Sequence, residues 1–168
     1  MDEDAKKTTL RMIPYGLFVL TAAGAGGRIS AATINWVTQA SFAPPLIVVA
    51  VKADSMSHGL VEESGQFVLN AVPKDGKDMA YAFFKHADVE GNKIGGEPFG
   101  MGATVRAPVL ERSPAHLECR VAQIIKRGDH SVFVAEVVEA RVKTAPAGRA
   151  DEAILWLRDL GEKVFYGG

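Results

Sequence analysis

The chain has 168 residues, of which 48% are hydrophobic and 23% are charged, and its formal net charge is −1. This length fits one domain, and the composition is ordinary for a soluble globular protein. A net charge so close to zero gives no field that would attract nucleic acid or an acidic membrane, so we expect neither as a partner. The single cysteine, Cys119, excludes an intramolecular disulfide and a multi-cysteine metal site, and its apolar surroundings favour a buried structural thiol.

Residues 1–9 (MDEDAKKTT) are predicted to be a polar tail, irregular or an arm, ahead of one domain over residues 10–168. The tail lacks the apolar core of a signal peptide. No uninterrupted apolar run in the sequence has the length that a bilayer requires. We therefore expect a cytoplasmic protein.

Short apolar runs separated by turns follow the tail, and their β-branched residues and spacing indicate strands interrupted by short helices. The predicted elements are strands over residues 10–23, 28–37 and 46–52, a helix over 55–64, a strand over 67–72, a helix over 77–86, strands over 105–109, 117–125 and 131–142, and a short helical or irregular segment over 151–168.

The glycine-rich segment over residues 87–102 has no periodicity and is predicted to be a long loop that acts as a lid or a binding loop. Six or seven strands with two or three helices, joined mostly as antiparallel hairpins, favour a mainly β protein. The class that fits best is a β-barrel decorated by helices, because closure removes the exposed sheet edges.

Several common signatures of catalytic and nucleotide sites are missing from the sequence. It has no GxxxxGK[ST] loop, no HExxH and no GxSxG, and GAGG at residues 24–27 is not a GxGxxG fingerprint. The four histidines show no close ligand spacing, so no metal site is expected.

The segment over residues 33–41 (TINWVTQAS) is a candidate site for a flat polar ligand. At a strand-to-loop transition its backbone amides would face outward, and Thr38, Gln39 and Ser41 add polar side chains. Trp36 offers a flat apolar face. The alternative is a Ser/Thr-rich loop that merely ends a strand.

The segment over residues 52–58 (KADSMSH) is a candidate anion site. A helix that begins near Ser55 or Ser57 presents free N–H groups, and Lys52 or His58 adds positive charge. The alternative is an ordinary helix N-cap. Because one short buried strand joins the two candidate segments, they could contact opposite ends of one extended ligand.

Two further features have both a functional and a structural interpretation. His130 follows a tight Gly-Asp turn, where it could contact a substrate at a barrel rim or be an ordinary surface residue. In the pair Phe84 and Lys85, the ring is typical of a helix core, while the lysine could reach a phosphate.

Taken in order, these segments resemble the flavin reductase-like, FMN-binding split-barrel family, in particular its flavoredoxin and archaeal ferric reductase branch. The resemblance covers nearly the whole chain. It rests on five pieces in sequence order: TINWVTQASFAPPLIVVAV, KADSMSHGLVEES, GQFVLNAV, LECRV followed by GDHSVFVAEV, and the terminal Tyr-Gly-Gly.

The resemblance implies a homodimeric, six-stranded antiparallel split β-barrel with a few peripheral helices, which binds FMN noncovalently near the subunit interface. His130 matches a rim histidine near the flavin and the nicotinamide. The remaining site residues implied are Thr33, Asn35, Trp36, Thr38, Gln39, Ala40 and Ser41 for the ring and ribityl, Lys52, Ser55, Ser57 and His58 for the phosphate, and Phe84 and Lys85 on a bordering helix.

The implied activity is that of an NAD(P)H-dependent flavin oxidoreductase, which passes electrons from NADH or NADPH through FMN to a flavin, a ferric complex or a partner protein. Two alternatives stay open: a flavoredoxin-type electron carrier with no NAD(P)H site of its own, and a split barrel that serves as a structural or haem-binding module. Residues 39–43 depart from the Ser-Val-Ser turn of many family members, which leaves open whether the flavin exchanges or stays bound.

Overall fold

Residues 1–167, which a computed structural model of the chain describes, form three α-helices and eleven β-strands. In chain order they are α1 Glu3–Arg11, β1 Phe18–Ala23, β2 Ile29–Ile34, β3 Val37–Phe42, β4 Pro45–Lys52, α2 Met56–Ser64, β5 Gln66–Ala71, α3 Lys77–Ala82, β6 Val89–Glu90, β7 Lys93–Ile94, β8 Glu97–Met101, β9 Pro108–Leu110, β10 Ala115–Lys126 and β11 His130–Val142. Single 3₁₀ turns lie at Ala25–Gly27, Ala150–Glu152 and Leu157–Leu160.

The main sheet is antiparallel throughout, with the strand order β2-β1-β5-β10-β11-β4-β3. Its two edge strands, β2 and β3, are separated in sequence by only Asn35 and Trp36. Three peptide steps span at most about 11 Å, so the sheet must curl until its opposite edges meet at this corner. The expected mainly β, antiparallel fold class is confirmed. Because the sheet curls, residues 35–36 lie at the corner where its two edge strands meet.

The main sheet has seven strands within the described residues, where the resemblance implied six. The additional strand is β3, which occupies residues expected to form a strand-to-loop transition. The hydroxyl and amide side chains there do not prevent pairing, because β3 is an edge strand and its side chains face solvent.

The glycine-rich segment is not the long loop that the sequence analysis predicted. Strands β6 to β8 lie within it and pair with β9 as a second antiparallel sheet. Gly91, Gly95 and Gly96 have positive φ values of 60°, 57° and 82°, which only glycine adopts readily, and they make the tight turns. Strands of two residues are too short to produce a period that a sequence pattern could detect.

The N-terminal tail also differs from the expectation, because most of it is helical. Helix α1 is capped by Asp2, whose carboxylate accepts from the N–H of Ala5 at 2.7 Å, and none of its residues is buried. The predicted strand over residues 10–23 therefore starts only at Phe18, beyond Pro14.

Helix α2 and the strands on either side of it follow the prediction closely. The Ser55 hydroxyl accepts from the N–H of His58 at 3.1 Å, and Gly65 ends the helix with a φ of 67°. Leu60 of α2 packs into the curled sheet beside Phe67 and Phe133. Cys119 is buried in the same core, where burial raises the pKa of its thiol to about 12, as expected for a structural cysteine.

In the part of the chain that the structure covers, no helix is long and apolar enough to cross a membrane. Over the same residues, no group of three or more His, Cys, Asp or Glu side chains is arranged to hold a metal ion.

Candidate functional site

A cavity of about 390 Å³ opens beside the corner where the sheet edges meet. It is bounded by β2, the end of β4, the start of α2, the residues after α3, the start of β11 and the C-terminal residues. The residues that line it are Leu17, Ala32, Thr33, Ile34, Asn35, Ala50, Val51, Lys52, Ser55, Phe83, Phe84, His130, Leu157, Val164, Phe165 and Tyr166.

The walls of the cavity suit a flat ring. Ala32 on β2 and Ala50 on β4 carry small side chains, so a ligand can approach the backbone of both strands closely. Phe84, Phe165 and Tyr166 surround the opening, and each is about half exposed (46%, 51% and 47%). Half-exposed aromatic residues grouped at one cavity are typical of a ligand site.

The end of the cavity at the start of α2 suits an anion. Lys52 is the last residue of β4, and its ammonium group is partly solvent-exposed, 3.1 Å from the Asp54 carboxylate. The Ser55 hydroxyl donates to the Lys52 carbonyl at 2.8 Å while it caps α2, so it also serves the ordinary cap that the sequence analysis kept as an alternative. The first N–H groups of a helix have no carbonyl partner within the helix, and they face an anion favourably.

His130, the first residue of β11, is the cross-strand partner of Lys52 on β4 and is held by two hydrogen bonds. Its Nδ1 lies 2.9 Å from the Asp129 carboxylate and its Nε2 lies 2.8 Å from the Tyr166 hydroxyl. A carboxylate can only accept, so Nδ1 carries the proton of the neutral ring, and Nε2 accepts from the Tyr166 hydroxyl. The Trp36 ring lies beside this pair, 4.6 Å from the His130 ring centroid.

The charges around His130 agree with this arrangement. The hydrogen bond from His130 lowers the pKa of the Asp129 carboxyl below its usual value, so it is ionised at neutral pH. Partial burial raises the pKa of the Tyr166 phenol and outweighs the opposing charge of Lys52. The phenol therefore keeps its proton and can donate it to the hydrogen bond.

Six of the predicted site residues meet in this cavity: Thr33, Asn35, Lys52, Ser55, Phe84 and His130. Trp36 borders it through its contacts with His130 and Tyr166. The Thr33 hydroxyl already donates to the Ala80 carbonyl at 2.8 Å, so it can offer a ligand only its acceptor capacity.

The other predicted residues lie elsewhere. Ser57 and His58 are buried in α2, and the His58 Nε2 is 2.8 Å from the Ser131 hydroxyl. Lys85 is exposed just beyond the cavity wall. Thr38, Gln39, Ala40 and Ser41 lie along β3, where the first three are exposed and none lines the cavity. Their contact with a cofactor stays a prediction.

The sequence analysis missed the C-terminal residues 164–166 as part of the site. Tyr166 contributes its backbone carbonyl, which accepts from the Asn35 amide at 3.3 Å, as well as its hydroxyl. The signal available in the sequence was the pair of aromatic residues in the terminal VFYGG, which follow no apolar period and so have no evident place in the core.

The polar and apolar groups that line the cavity are of the kinds that a flavin mononucleotide would need. Its lining combines apolar side chains and aromatic rings with one cation, Lys52, and with Ser55, the residue that caps α2.

The family model described as "Flavin reductase like domain" matches residues 10–159. A flavin reductase (NADH) of Kitasatospora aureofaciens is 30% identical over 82% of this chain and 71% of its own length. An NADH-dependent FAD reductase of Streptomyces globisporus is 28% identical over 76% of this chain and 69% of its own. The reductase component of a 4-nitrophenol monooxygenase of Rhodococcus opacus is 31% identical over 77% and 66%.

Solved structures agree with these relatives. The NADH:FAD oxidoreductase of Streptomyces globisporus superposes with a TM-score of 0.68 at 26% identity, over 77% of this chain and 71% of that one. An FMN-binding protein of Thermus thermophilus gives the same TM-score of 0.68 at 26% identity, over 78% and 72%. The resemblance inferred from the five sequence pieces is therefore confirmed, and the chain belongs to the flavin reductase-like domain family.

Proposed function

We propose that the cavity holds FMN noncovalently and that the protein reduces it with NADH or NADPH. The enzyme class is that of the family: the protein is an NAD(P)H-dependent flavin oxidoreductase, as expected from the sequence. The observation that carries the assignment of the site is a single cavity lined both by aromatic residues and by Lys52 with Ser55, the N-cap of α2.

In this proposal the ring lies between β2 and the aromatic residues, and the phosphate lies at the start of α2. Asn35 and Thr33 meet the polar edge of the ring, and Phe84 covers its apolar part. Lys52 neutralises the phosphate together with the free N–H groups of α2. FMN is proposed as the flavin because an FMN-binding protein of Thermus thermophilus is among the similar solved structures.

When bound, the flavin supplies the chemistry, which is the uptake of a hydride from the nicotinamide and the release of its electrons to an acceptor. The protein needs no acid or base for the hydride step. Asp129 and Tyr166 fix the orientation of His130, and His130 positions the nicotinamide against the ring. Phe84 and Tyr166 keep water from the reacting faces.

We also propose a homodimer and a protein partner that takes the electrons or the reduced flavin. A dimer is supported by α1, whose nine residues bury nothing in one chain, and by Phe42, which is 90% exposed on edge strand β3. An oxygenase partner is supported by the name of the Rhodococcus relative, which is the reductase component of a two-part enzyme.

The test is a binding titration of the purified protein with FMN, FAD and riboflavin. FMN is expected to bind most tightly, and riboflavin at least about tenfold more weakly, since it lacks the phosphate that Lys52 neutralises. Equal affinity for FMN and riboflavin would mean that Lys52 and the start of α2 do not bind the phosphate. No binding of any of the three would overturn the assignment of the cavity.

A further inference from the structure

The C-terminal residues 164–166, which we call the C-terminal cover, form one wall of the cavity. All three residues line it, together with residues 32–34 of β2. The cavity keeps its volume of about 390 Å³ with these residues in place. The cover therefore encloses the space where we place the flavin and does not fill it.

Besides the Trp36 ring beside Tyr166, four contacts hold the C-terminal cover. Tyr166 accepts from the Asn35 amide through its backbone carbonyl and donates to His130 through its hydroxyl, at 3.3 and 2.8 Å. The Phe165 ring lies under the Arg11 guanidinium, 4.1 Å from its centroid. Val164 packs against the core cluster that contains Leu157 and Leu160.

These contacts are strong enough to close the cover and weak enough to release it. A neutral hydrogen bond contributes about 0.5–1.5 kcal/mol, and an exposed cation–π contact about 0.5–1 kcal/mol. Phe165 and Tyr166 are 51% and 47% exposed, so little apolar burial adds to the contacts. Segments with so few buried contacts open far more readily than the core of a protein.

The chain is anchored just before the cover begins. The 3₁₀ turn Leu157–Leu160 is anchored by two buried leucines, Leu157 and Leu160, and ends at Gly161. Gly161 has a φ of 139°, a conformation that side chains rarely adopt. Val164 is packed on the same core as the two leucines, so the part of the cover that can open is Phe165 and Tyr166.

From this geometry we infer that the C-terminal cover sets how long FMN stays in its site: closed, it retains the flavin as a bound group, and open, it lets the flavin exchange. The inference rests on the proposed function, because it assumes that FMN occupies the cavity. It also links retention to reactivity, since Asn35 and His130, which anchor the cover, are the residues proposed to contact the ring and the nicotinamide.

The experiment compares the rate at which FMN dissociates from the wild-type protein and from four variants, by stopped-flow fluorescence after dilution. The first variant lacks residues 165–168. The second is Tyr166→Phe, which removes only the hydroxyl bonded to His130, and the third is Phe165→Ala. The matched control is Val89→Ala, because Val89 is also about half exposed (46%) and does not line the cavity.

Deletion is expected to raise the FMN dissociation rate at least about tenfold, and Tyr166→Phe about two- to tenfold, as the loss of one hydrogen bond implies. Phe165→Ala is expected to raise it as well, and Val89→Ala to leave it unchanged. If the truncated chain fails to fold, the two point variants decide the matter.

Three results would overturn the inference. Dissociation rates equal to that of the wild type in the Tyr166 and Phe165 variants would mean that the cover retains nothing. Tighter FMN binding after deletion would mean that the segment competes with the flavin and does not enclose it. A wild-type protein that binds no FMN would overturn the proposed function and this inference with it, whereas either of the first two results leaves FMN binding itself intact.

Discussion

His130 is the residue whose environment bears most directly on the proposed reaction. Its two ring nitrogens are both engaged, by Asp129 and by Tyr166, and its side chain is only 12% exposed. The imidazole therefore has one orientation at the cavity wall. That is what positioning a second substrate requires, since a small misplacement of reacting groups costs rate steeply.

Replacing His130 by alanine is expected to slow reduction by NADH at least about tenfold, because the nicotinamide loses its positioning contact. FMN should leave this variant about two- to tenfold faster, as it does in Tyr166→Phe, because the same hydrogen bond to the C-terminal cover is lost, so the reduction rate is measured on protein saturated with FMN. The measurement is anaerobic stopped-flow absorbance of the FMN-loaded protein. His86→Ala is the control, since His86 is exposed and does not line the cavity. An unchanged reduction rate in His130→Ala would refute the role.

Glu118 is a residue whose charge contributes to the stability of the fold. It is fully buried and accepts from the backbone N–H groups of Ala103, Thr104 and Val105, at 3.0, 2.7 and 2.7 Å. Burial alone would raise the pKa of its carboxyl, but the three N–H donors outweigh burial and hold the pKa below its usual value. The charged form is thus bound more tightly in the folded state.

Because the folded-state pKa of Glu118 is lowered, its stabilising effect is present above the unfolded-state pKa, near 4.3, and is lost as the pH falls through the folded-state value. Glu118→Gln is expected to reduce the free energy of unfolding at pH 7 by about 2–3 kcal/mol, since an amide leaves part of the N–H set unpaired. It should also flatten the loss of stability in acid.

Urea unfolding at pH 7 and near pH 3.5 measures both effects. The control is Glu136→Gln, a carboxylate that is exposed on β11. If Glu118→Gln lost no more stability than Glu136→Gln, the three backbone hydrogen bonds would not contribute the expected ~2–3 kcal/mol to the free energy of unfolding.

At the scale of single residues, the site residues whose position is set by their sequence neighbours could be predicted. His130 after its turn and Lys52 before its helix could both be predicted from neighbouring residues. The bond between His130 and Tyr166 could not, because it joins residues 36 positions apart and exists only through the path of the C-terminal segment. The separation of Lys52 from Lys85 likewise depends on where α3 ends.

Helix α2 is the element that would define the phosphate end of the site, and two lysines provide a matched test of it. Both Lys52 and Lys85 were predicted near the cofactor, but only Lys52 lines the cavity. Lys52→Gln is expected to weaken FMN binding about tenfold, through the loss of a charged contact worth about 1.5 kcal/mol. Riboflavin binding should not change.

Lys85→Gln is the control and is expected to bind FMN like the wild type. Titration of each variant with FMN and riboflavin, followed by flavin absorbance or fluorescence, separates the phosphate contribution from the ring contribution. An equal loss of affinity for both ligands in Lys52→Gln would mean that Lys52 does not act through the phosphate.

Elements with strong local signals were predicted almost to the residue. Strand β4 has a continuous apolar run, and α2 has both a serine cap and a glycine stop. Helix α1 was missed because Ala5 and Leu10 are its only apolar residues, too few to reveal a helical period. The strands β6 and β7 were missed because two residues carry no period at all.

At the scale of the whole molecule, the mainly β class followed from the count of strands and hairpins, but the curl of the sheet did not. It depends on β2 and β3 occupying opposite edges while only two residues join them. That closure brings Asn35 and Trp36 next to His130, which is 94 positions along the chain from Trp36. The part of the site that we assign to the flavin ring is therefore formed by the topology of the sheet.

The proposed homodimer is also a property of the whole molecule. An isolated nine-residue helix is marginal in water, so α1 gains stability only if another surface covers it. Edge strand β3 ends in the exposed Phe42, which adds an apolar contact site. Light scattering coupled to gel filtration is expected to give twice the chain mass of 17.9 kDa. Phe42→Asp should shift the protein toward the monomer, and a wild-type monomer at all concentrations would contradict the proposal.

The central claim is that this one chain both binds FMN and takes electrons from a nicotinamide. The most direct test is to add NADH, and separately NADPH, to the FMN-loaded protein without oxygen and to follow the visible absorbance band of the flavin. We predict that the band bleaches with about one equivalent of at least one of the two donors, since a hydride carries the two electrons that the flavin accepts. A band that dithionite bleaches but that neither nucleotide changes would contradict the claim, and would identify the protein as an electron carrier that depends on another reductase.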